Sequence, residues 1–193
     1  MVSKIEANKR KKEMSLYTAA YDLFTEKGIK DTAISDIVKK AGVAKGTFYL
    51  YFKDKYDVLD KIILNKSTKV LSEAIKETKL NTFENFSDEL LYFINYIVEF
   101  FKEENLMLKL IHKNLSWGVY KKARKDYKEV DDLYSMFQRE YVDTDMSEED
   151  VEKLLFIIVD LVGSVCYSSI ILNEPASIDE MKPILFSSIR KIL

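Results

Sequence analysis

The stretch from Lys45 to Phe52 carries the side chains best suited to hold a phosphate or a base edge. It reads Lys-Gly-Thr-Phe-Tyr-Leu-Tyr-Phe. In a helix, Ala44, Phe48 and Phe52 recur every four residues and are expected to face inward. An ammonium group, a hydroxyl and two phenols can contact phosphates and bases, and a glycine allows close backbone approach. The pattern predicts a nucleic-acid-binding surface, whose outward residues are Lys45, Gly46, Thr47, Tyr49, Leu50 and Tyr51.

Three predicted helices would position this surface. The first runs from about Ser3 to Lys27, with apolar residues at three- and four-residue spacing, and Gly28 ends it. The second spans about Ile34–Ala41, Gly42 breaks the chain, and the third spans about Lys45–Phe52. Two short helices joined by a tight glycine-containing turn form a helix-turn-helix, whose second helix enters the major groove of DNA.

Charge is distributed unevenly along the chain. Residues 1–55 hold 12 Lys and Arg against 7 Asp and Glu, a net charge of +5, whereas residues 56–193 hold 18 against 25, a net charge of −7. This asymmetry is expected when one end of a protein meets phosphate. We therefore predict a DNA-binding domain over residues 1–55 and a second domain over residues 56–193. The run Lys9–Lys12 is either a DNA-binding arm or a solvated face.

Glycine and proline are scarce, at 5 and 2 of 193 residues, which argues against an all-β fold and favours long helices with short connections. We predict an all-α protein of about nine helices, in which a three-helix N-terminal domain precedes a helical bundle. The bundle helices are expected at about Asp54–Lys79, from Asn81 or Ser87 to Glu104, twice between Leu106 and Tyr141, from Ser147 to Asn173, and at Ile178–Ile192.

Several classes of function have little support in the composition. The chain has one Cys (Cys166) and one His (His112), so we expect no disulfide, no metal site, no cofactor and no catalytic nucleophile–base pair. No apolar signal segment follows the basic N-terminus, and we expect a cytoplasmic protein. Leu154–Leu172 is long enough to span a membrane, but Asp160 within a span would cost about 2.5–3.5 kcal/mol. We therefore expect a helix buried between protein surfaces and no membrane partner.

The chain resembles the TetR family of bacterial transcriptional regulators over about residues 10–65. The resemblance rests on three segments, Phe24-Thr25-Glu26-Lys27-Gly28, Ala41-Gly42-Val43-Ala44, and Gly46-Thr47-Phe48-Tyr49-Leu50-Tyr51-Phe52 followed by Lys53-Asp54-Lys55. It implies base-edge contacts from Lys45, Gly46 and Thr47, and phosphate contacts from Tyr49, Tyr51, Lys55 and Thr32. The family often has Ser where this chain has Ala44, so no contact is assigned there. The alternatives are that the two tyrosines only cover the domain core and that Lys55 is a solvated lysine.

The resemblance also implies an apolar ligand cavity inside the C-terminal bundle. Any one aromatic residue of the bundle could instead be ordinary core. His112 could be a satisfied structural residue, and Asp160 could cap a helix or pair with a cation. The candidate ligand-binding residues are Phe93, Tyr96, Phe100, His112, Trp117, Tyr120, Tyr134, Phe137, Asp160 and Tyr167.

A homodimer is implied as well, through the last two helices of each subunit. Ser164 and Ser168 lie one turn apart, and small residues on one face let a second helix approach closely. The candidate seam consists of Ser164, Val165, Ser168, Ile171, Leu172, Leu185 and Ile189. A dimer also suits DNA recognition, because paired reading helices contact two half-sites.

Together these features predict a ligand-responsive DNA-binding transcriptional regulator. The resemblance implies a repressor that an unknown small-molecule effector releases from a double-stranded DNA operator. The alternative is a helical small-molecule-binding protein that no longer reads DNA. An enzyme is the third possibility, with the least support from the residues.

Overall fold

The computed structural model describes residues 4–114, 121 and 124–193. These residues form α-helices, one π-helical segment and short connections, with no strand among them. The predicted all-α fold is confirmed. The chain divides into two compact units, Met1–Asn65 and Lys66–Leu193. This division lies further along the chain than the expected boundary after Lys55.

The first unit is built from three helices and the start of a fourth. They are α1 (Lys4–Lys27), α2 (Ile34–Ala41), α3 (Lys45–Phe48) and the beginning of α4 (Lys55–Lys79). One face of each helix is buried, as an amphipathic pattern requires. The fully buried side chains of this unit are Leu16, Ala20, Phe24, Ile37, Phe48, Val58, Leu59, Ile62 and Ile63.

Two glycines end helices in the left-handed conformation, as their positions in the sequence predict. Gly28 has φ +82° after α1, and Gly42 has φ +67° after α2. The Gly42 amide donates to the Lys39 carbonyl at 3.3 Å, and the Val43 amide donates to the Val38 carbonyl at 3.0 Å. This pair of bonds is a Schellman motif, which satisfies the free carbonyls at the end of α2 and turns the chain into α3.

The third helix is shorter than the predicted range Lys45–Phe52. It is α-helical over Lys45–Phe48 only. The chain then continues in a tighter turn, in which the Leu50 amide donates to the Thr47 carbonyl and the Tyr51 amide to the Phe48 carbonyl. The prediction that Ala44 faces inward is wrong, because Ala44 precedes the helix with extended backbone (φ −72°, ψ 150°) and is exposed. Phe48 and Phe52 are buried, as predicted.

The second unit contains the rest of α4 and a bundle of further helices. They are α5 (Phe86–Glu103), α6 (Asn105–Asn114), α7 (Lys128–Tyr141), α8 (Glu148–Cys166) and α9 (Ile178–Ile192). Asn85, Ser147 and Ser177 cap α5, α8 and α9, each accepting a backbone amide with its side-chain oxygen. Between α5 and α9, Lys102 pairs with Asp179 at 2.8 Å.

The predicted helix up to Asn173 changes form before it ends. After Cys166 the chain is π-helical over Tyr167–Leu172, and Asn173 closes it with φ 57°. Within the described chain, Glu148–Leu172 is long and apolar enough to cross a membrane, judged by length and composition, with a mean hydropathy of 2.2. Within one chain, 28% of its most apolar 18 residues are buried. Most of the remaining residues from 148 to 172 are partly exposed.

Candidate nucleic-acid interface

The turn that follows α2 presents a small polar surface on top of a buried aromatic anchor. Phe48 is completely buried, whereas Tyr49 next to it is 52% exposed. The two rings meet edge to face with centroids 5.4 Å apart, and Phe48 also contacts Phe52 at 5.6 Å. The buried Phe48 ring therefore fixes the position of the outward side chains, since a helix of four residues has few internal hydrogen bonds.

The predicted contact residues of α3 and of the turn after it differ in their exposure to solvent. Lys45, Gly46 and Tyr49 are exposed, and Thr47 and Tyr51 are half-buried. Apart from the adjoining backbone of α3, no described heavy atom lies within 4 Å of the position that a Gly46 side chain would take, so the backbone there is open to an approaching ligand. This placement brings five of the seven predicted DNA-binding residues together, and we name them the reading surface: Lys45, Gly46, Thr47, Tyr49 and Tyr51.

A lysine of α4 fixes the far end of the reading surface. The Lys61 ammonium donates to the Tyr51 carbonyl at 3.2 Å and lies 4.6 Å from the centre of the Phe52 ring. A cation above an aromatic face is attracted by the ring quadrupole. Lys61 therefore holds the backbone of Tyr51 and leaves its phenol free to contact a ligand.

Thr32 does not support the predicted phosphate contact. Its side chain is buried, with 1% of the residue exposed. The hydroxyl donates to the Gly28 carbonyl at 2.8 Å and lies 3.4 Å from the Leu23 carbonyl. Both carbonyls lie close to the end of α1, which finishes at Lys27. Thr32 therefore stabilises the end of α1 and is removed from the proposed DNA contacts.

Lys55 is also engaged within the protein. Its ammonium donates to the carbonyls of Ile29, Lys30 and Thr32 at 2.6, 3.2 and 2.9 Å. An ammonium has three hydrogens, and all three are used. We call this arrangement the Lys55 clasp, and it takes the place of the predicted phosphate contact. No sequence pattern predicts this arrangement, because the acceptors are backbone atoms.

An ion pair orients the start of α2. Asp36 accepts a hydrogen bond from Lys27 at 2.6 Å and another from the Ala33 amide at 3.2 Å. The Lys27 bond contributes most, and the two bonds hold the pKa of the Asp36 carboxyl below its ordinary value. A negative charge in the first turn of a helix is also favourable for the helix dipole. Asp36 thus connects the end of α1 to the beginning of α2.

The predicted ligand-binding residues are scattered through the second unit. Phe93, Tyr134 and Phe137 are buried, and Tyr96, Phe100, His112 and Tyr167 are half-buried. His112 and Tyr167 stack, with ring centroids 4.2 Å apart and planes 16° from parallel. The prediction that Asp160 lines an internal ligand cavity is wrong, because the residue is exposed on the outer face of α8. Trp117 and Tyr120 lie outside the described residues.

Two surface cavities of the second unit have other linings. One of about 490 Å³ is lined by Lys121, Arg124, Lys125, Asp131 and Glu152. Another of about 390 Å³ is lined by Asn81, Phe83, Asn85, Phe86, Glu89, Met136, Arg139 and Glu140. Neither of these described linings contains a predicted ligand-binding residue. In the first, the Arg124 guanidinium lies 3.4 Å from the centre of the Tyr134 ring and pairs with Glu152 at 2.9 Å.

The predicted dimer seam is partly corrected. Leu185 and Ile189 are 3% and 0% exposed, so they pack into the core of their own chain and cannot form the seam. Both sides of α9 are apolar, and the sequence alone did not indicate which side faces the bundle. The remaining candidates, Ser164, Val165, Ser168, Ile171 and Leu172, are half-buried or exposed. Sequence reasoning missed Ile157, which is 53% exposed two turns before Ser164.

The described residues offer little for catalysis. Burial raises the pKa of the Cys166 thiol to about 12, so it stays protonated at neutral pH. No group of three or more His, Cys, Asp or Glu side chains in the described ranges could hold a metal ion.

A family model matches most of the first unit. The family model described as "Bacterial regulatory proteins, tetR family" matches residues 16–62. The HTH-type transcriptional regulator YvdT of Bacillus subtilis (strain 168) is 49% identical over 55 residues, which are 28% of each chain. The fatty acid metabolism regulator protein of the same organism is 38% identical over 71 residues, which are 37% of each. The match thus spans well under half the length of these relatives.

The fold of the whole chain also has solved counterparts. The transcriptional regulator FadR from Bacillus subtilis, in complex with stearoyl-CoA, has a TM-score of 0.69 over 93% of this chain and 98% of that one. The two sequences are 16% identical, so this likeness concerns the fold.

Proposed function

Because its N-terminal domain belongs to the tetR family of bacterial regulatory proteins, we propose that this chain is a ligand-responsive DNA-binding transcriptional regulator in the cytoplasm. It acts as a repressor that a small molecule releases from its operator. The observation that carries the proposal is the reading surface, a set of exposed polar side chains fixed on the fully buried ring of Phe48.

The reading surface enters the major groove and divides its contacts between bases and phosphates. Lys45, Gly46 and Thr47 lie at the start of α3, the end of a reading helix that meets base edges. Tyr49 and Tyr51 extend from the following turn toward the phosphates. Phosphate contacts position a protein on DNA, whereas base contacts select the sequence.

A salt titration and two substitutions test this proposal. The full chain first selects its operator from a pool of random-sequence duplexes, and its affinity is then measured at several salt concentrations. We expect affinity to fall steeply with salt, because each phosphate contact releases counterions. Thr47→Ala should change which sequence is preferred, whereas Tyr49→Phe should weaken all sequences by a similar factor. A chain that binds no duplex, or whose duplex affinity does not change with salt, would overturn this proposal. It would favour the alternative, a helical small-molecule-binding protein that does not recognise DNA.

We further propose that the uncovered face of α8 and the π-helical segment forms a homodimer seam. Ile157 and Leu172, 53% and 52% exposed, flank Ser164 and Ser168 on this stretch. Large apolar side chains exposed to solvent mark a contact surface, and the small serines between these two allow close helix approach. Two subunits would carry two reading surfaces to adjacent half-sites.

The seam is tested by the mass of the chain in solution. Ile157→Glu should produce monomers in light scattering, because a buried carboxylate without a partner is unfavourable. Val142→Glu is the matched control, since Val142 is 72% exposed outside α8, and this variant should remain dimeric. A monomeric parent chain would overturn the seam, and a chain extracted only by detergent would instead indicate a membrane helix.

Acyl-CoA is the effector class that we propose for the second unit. The support is the likeness in fold to a regulator in complex with stearoyl-CoA and the partial match to a fatty acid metabolism regulator. The cavity lined by Lys121, Arg124 and Lys125 offers cations for the phosphates of such a ligand.

Thermal unfolding with stearoyl-CoA, free CoA or stearate separates the parts of this ligand. We expect the largest stabilisation from stearoyl-CoA, together with a loss of operator affinity, since coupling between two sites is reciprocal. Stearoyl-CoA that stabilises the chain but leaves operator affinity unchanged would rule out the coupling.

A further inference from the structure

The first turns of α1 extend beyond the core of the first unit. The helix begins at Lys4, but Leu16 is its first buried residue. Every residue from 4 to 12 is exposed. This stretch, which we call the cationic turns, contains Lys4, Lys9, Arg10, Lys11 and Lys12 against the single acidic residue Glu6.

The charges of the cationic turns surround the helix. Successive residues of an α-helix are separated by about 100° around the axis, so Lys9, Arg10, Lys11 and Lys12 point in four different directions. The solvated face of an amphipathic helix would instead gather its charges on one side. No ion pair found in the described part of the chain involves any of these cations. The arrangement therefore concentrates positive charge that no described acidic side chain pairs with.

Two ion pairs determine where the cationic turns lie. Asp22 of α1 pairs with Lys40 of α2 at 3.1 Å, and Lys27 pairs with Asp36 at 2.6 Å. Asp22 precedes Lys27 along α1, whereas its partner Lys40 follows Asp36 along α2. The two helices are therefore antiparallel. The turns of α1 before Asp22 therefore continue past the end of α2 where Gly42 leads into α3. At 1.5 Å per residue, Lys12 lies about 15 Å along the axis from Asp22.

We propose that the cationic turns bind DNA backbone phosphates beside the site that the reading surface contacts. This inference rests on the proposed function and adds a second, sequence-independent contact region to it. Exposed ammonium and guanidinium groups at the same end of the unit as α3 are suited to neutralise phosphate. Because four cations surround the helix, only about half of Lys9–Lys12 can face the duplex at once, which corresponds to about two phosphate contacts.

The experiment compares two variants of the full chain that lose the same charge. The test variant carries Lys9→Gln, Arg10→Gln, Lys11→Gln and Lys12→Gln, since glutamine is a good helix former. The control carries Lys76→Gln, Lys79→Gln, Lys128→Gln and Lys191→Gln, four exposed lysines of the second unit. Affinity for a mixed-sequence duplex is measured between about 50 and 200 mM salt.

The test variant should lower the slope of log affinity against log salt by about 2, since each lost contact accounts for about 0.9. At about 0.1 M salt this corresponds to a loss of affinity on the order of 50-fold. The control should keep the parent slope, and so should a third variant that keeps the charge through Lys9→Arg, Lys11→Arg and Lys12→Arg.

The two proposals fail in distinguishable ways. A parent chain whose duplex binding does not depend on salt would overturn the proposed function. A salt-dependent parent whose test and control variants have equal slopes would overturn the role of the cationic turns and leave the reading surface intact. A lowered slope in the charge-conserving variant would show that the side chains act through the fold of α1, which also contradicts the inference.

Discussion

Replacing Lys55 with methionine removes the Lys55 clasp and keeps most of the side chain's length. The ammonium has three carbonyl acceptors, of which those of Ile29 and Thr32 lie in half-buried surroundings and that of Lys30 is exposed. A hydrogen bond from a charged donor contributes about 1.5–3 kcal/mol, and one that water can replace contributes less. We therefore expect the first unit to lose about 2 kcal/mol of its free energy of unfolding.

Hydrogen exchange is the appropriate assay, because the chain has two units and a single melting temperature would combine them. Amides of α2 should exchange about 30-fold faster in Lys55→Met, as 1.4 kcal/mol corresponds to a factor of 10. Lys53→Met is the matched control. Lys53 is exposed two residues earlier, and its backbone amide donates to Asp57 at 2.9 Å. Its ammonium has no hydrogen bond to a described residue. This control should leave exchange in α2 unchanged.

One result would refute this reasoning about Lys55. If Lys55→Met left exchange in α2 unchanged but lowered the salt slope of DNA affinity by about 0.9, Lys55 would be a phosphate contact. The clasp would then be one of several positions of a flexible side chain, and the original expectation for Lys55 would be correct.

Four further predictions concern the same unit. Gly42→Ala should lower the free energy of unfolding in urea by about 1–2 kcal/mol, because a side chain at φ +67° strains the backbone. No clash adds to this cost, since apart from the adjoining backbone no described atom lies within 4 Å of the added methyl. Gly46→Ala, also without a clash, should leave stability unchanged but weaken duplex binding. Thr32→Val should cost about 1–2 kcal/mol and leave the salt slope of DNA affinity unaltered. The pKa of Asp36 is lowered by Lys27, so its stabilising effect is present above the carboxyl's unfolded pKa. That effect should disappear as pH falls through the folded pKa, and Asp36→Asn should show a smaller acid-dependent loss in unfolding titrations.

Helix positions were predictable where a local signal marks the end. Gly28 and Gly42 are glycines in left-handed backbone conformation, and Ser147 is an N-cap whose oxygen accepts the Asp150 amide. The end of α3 was not predictable in the same way. Phe48 and Phe52 have helical spacing, but a tighter turn buries both rings equally well. Periodicity reports which side chains are buried and does not specify the hydrogen-bond pattern.

The sequence predicted the exposure of site residues whose side chains point to solvent. It did not predict the positions of side chains that bond to backbone carbonyls. Lys45 and Tyr49 were expected to be exposed and are exposed. Thr32 and Lys55 bond carbonyl oxygens, which every residue possesses and which no sequence pattern distinguishes. The prediction for Asp160 was wrong for a different reason, because we expected an acidic residue within an apolar run to be buried. In fact most exposed residues of α8 are charged, and Lys153, Ile157 and Asp160 follow the same three- and four-residue spacing as its buried residues.

The Lys55 clasp has a further consequence when the chain is considered as a polymer. Its three hydrogen bonds join positions 26, 25 and 23 residues apart, and both α2 and α3 lie between them. The helix-turn-helix is thus a loop whose ends are tied together. Closing a flexible loop of that length costs about 3 kcal/mol of conformational entropy, and the closed loop contains both helices. Unfolding either helix recovers little of this entropy while the Lys55 hydrogen bonds remain. Once they break, both helices recover it together. We therefore expect α2 and α3 to unfold and refold as one cooperative segment.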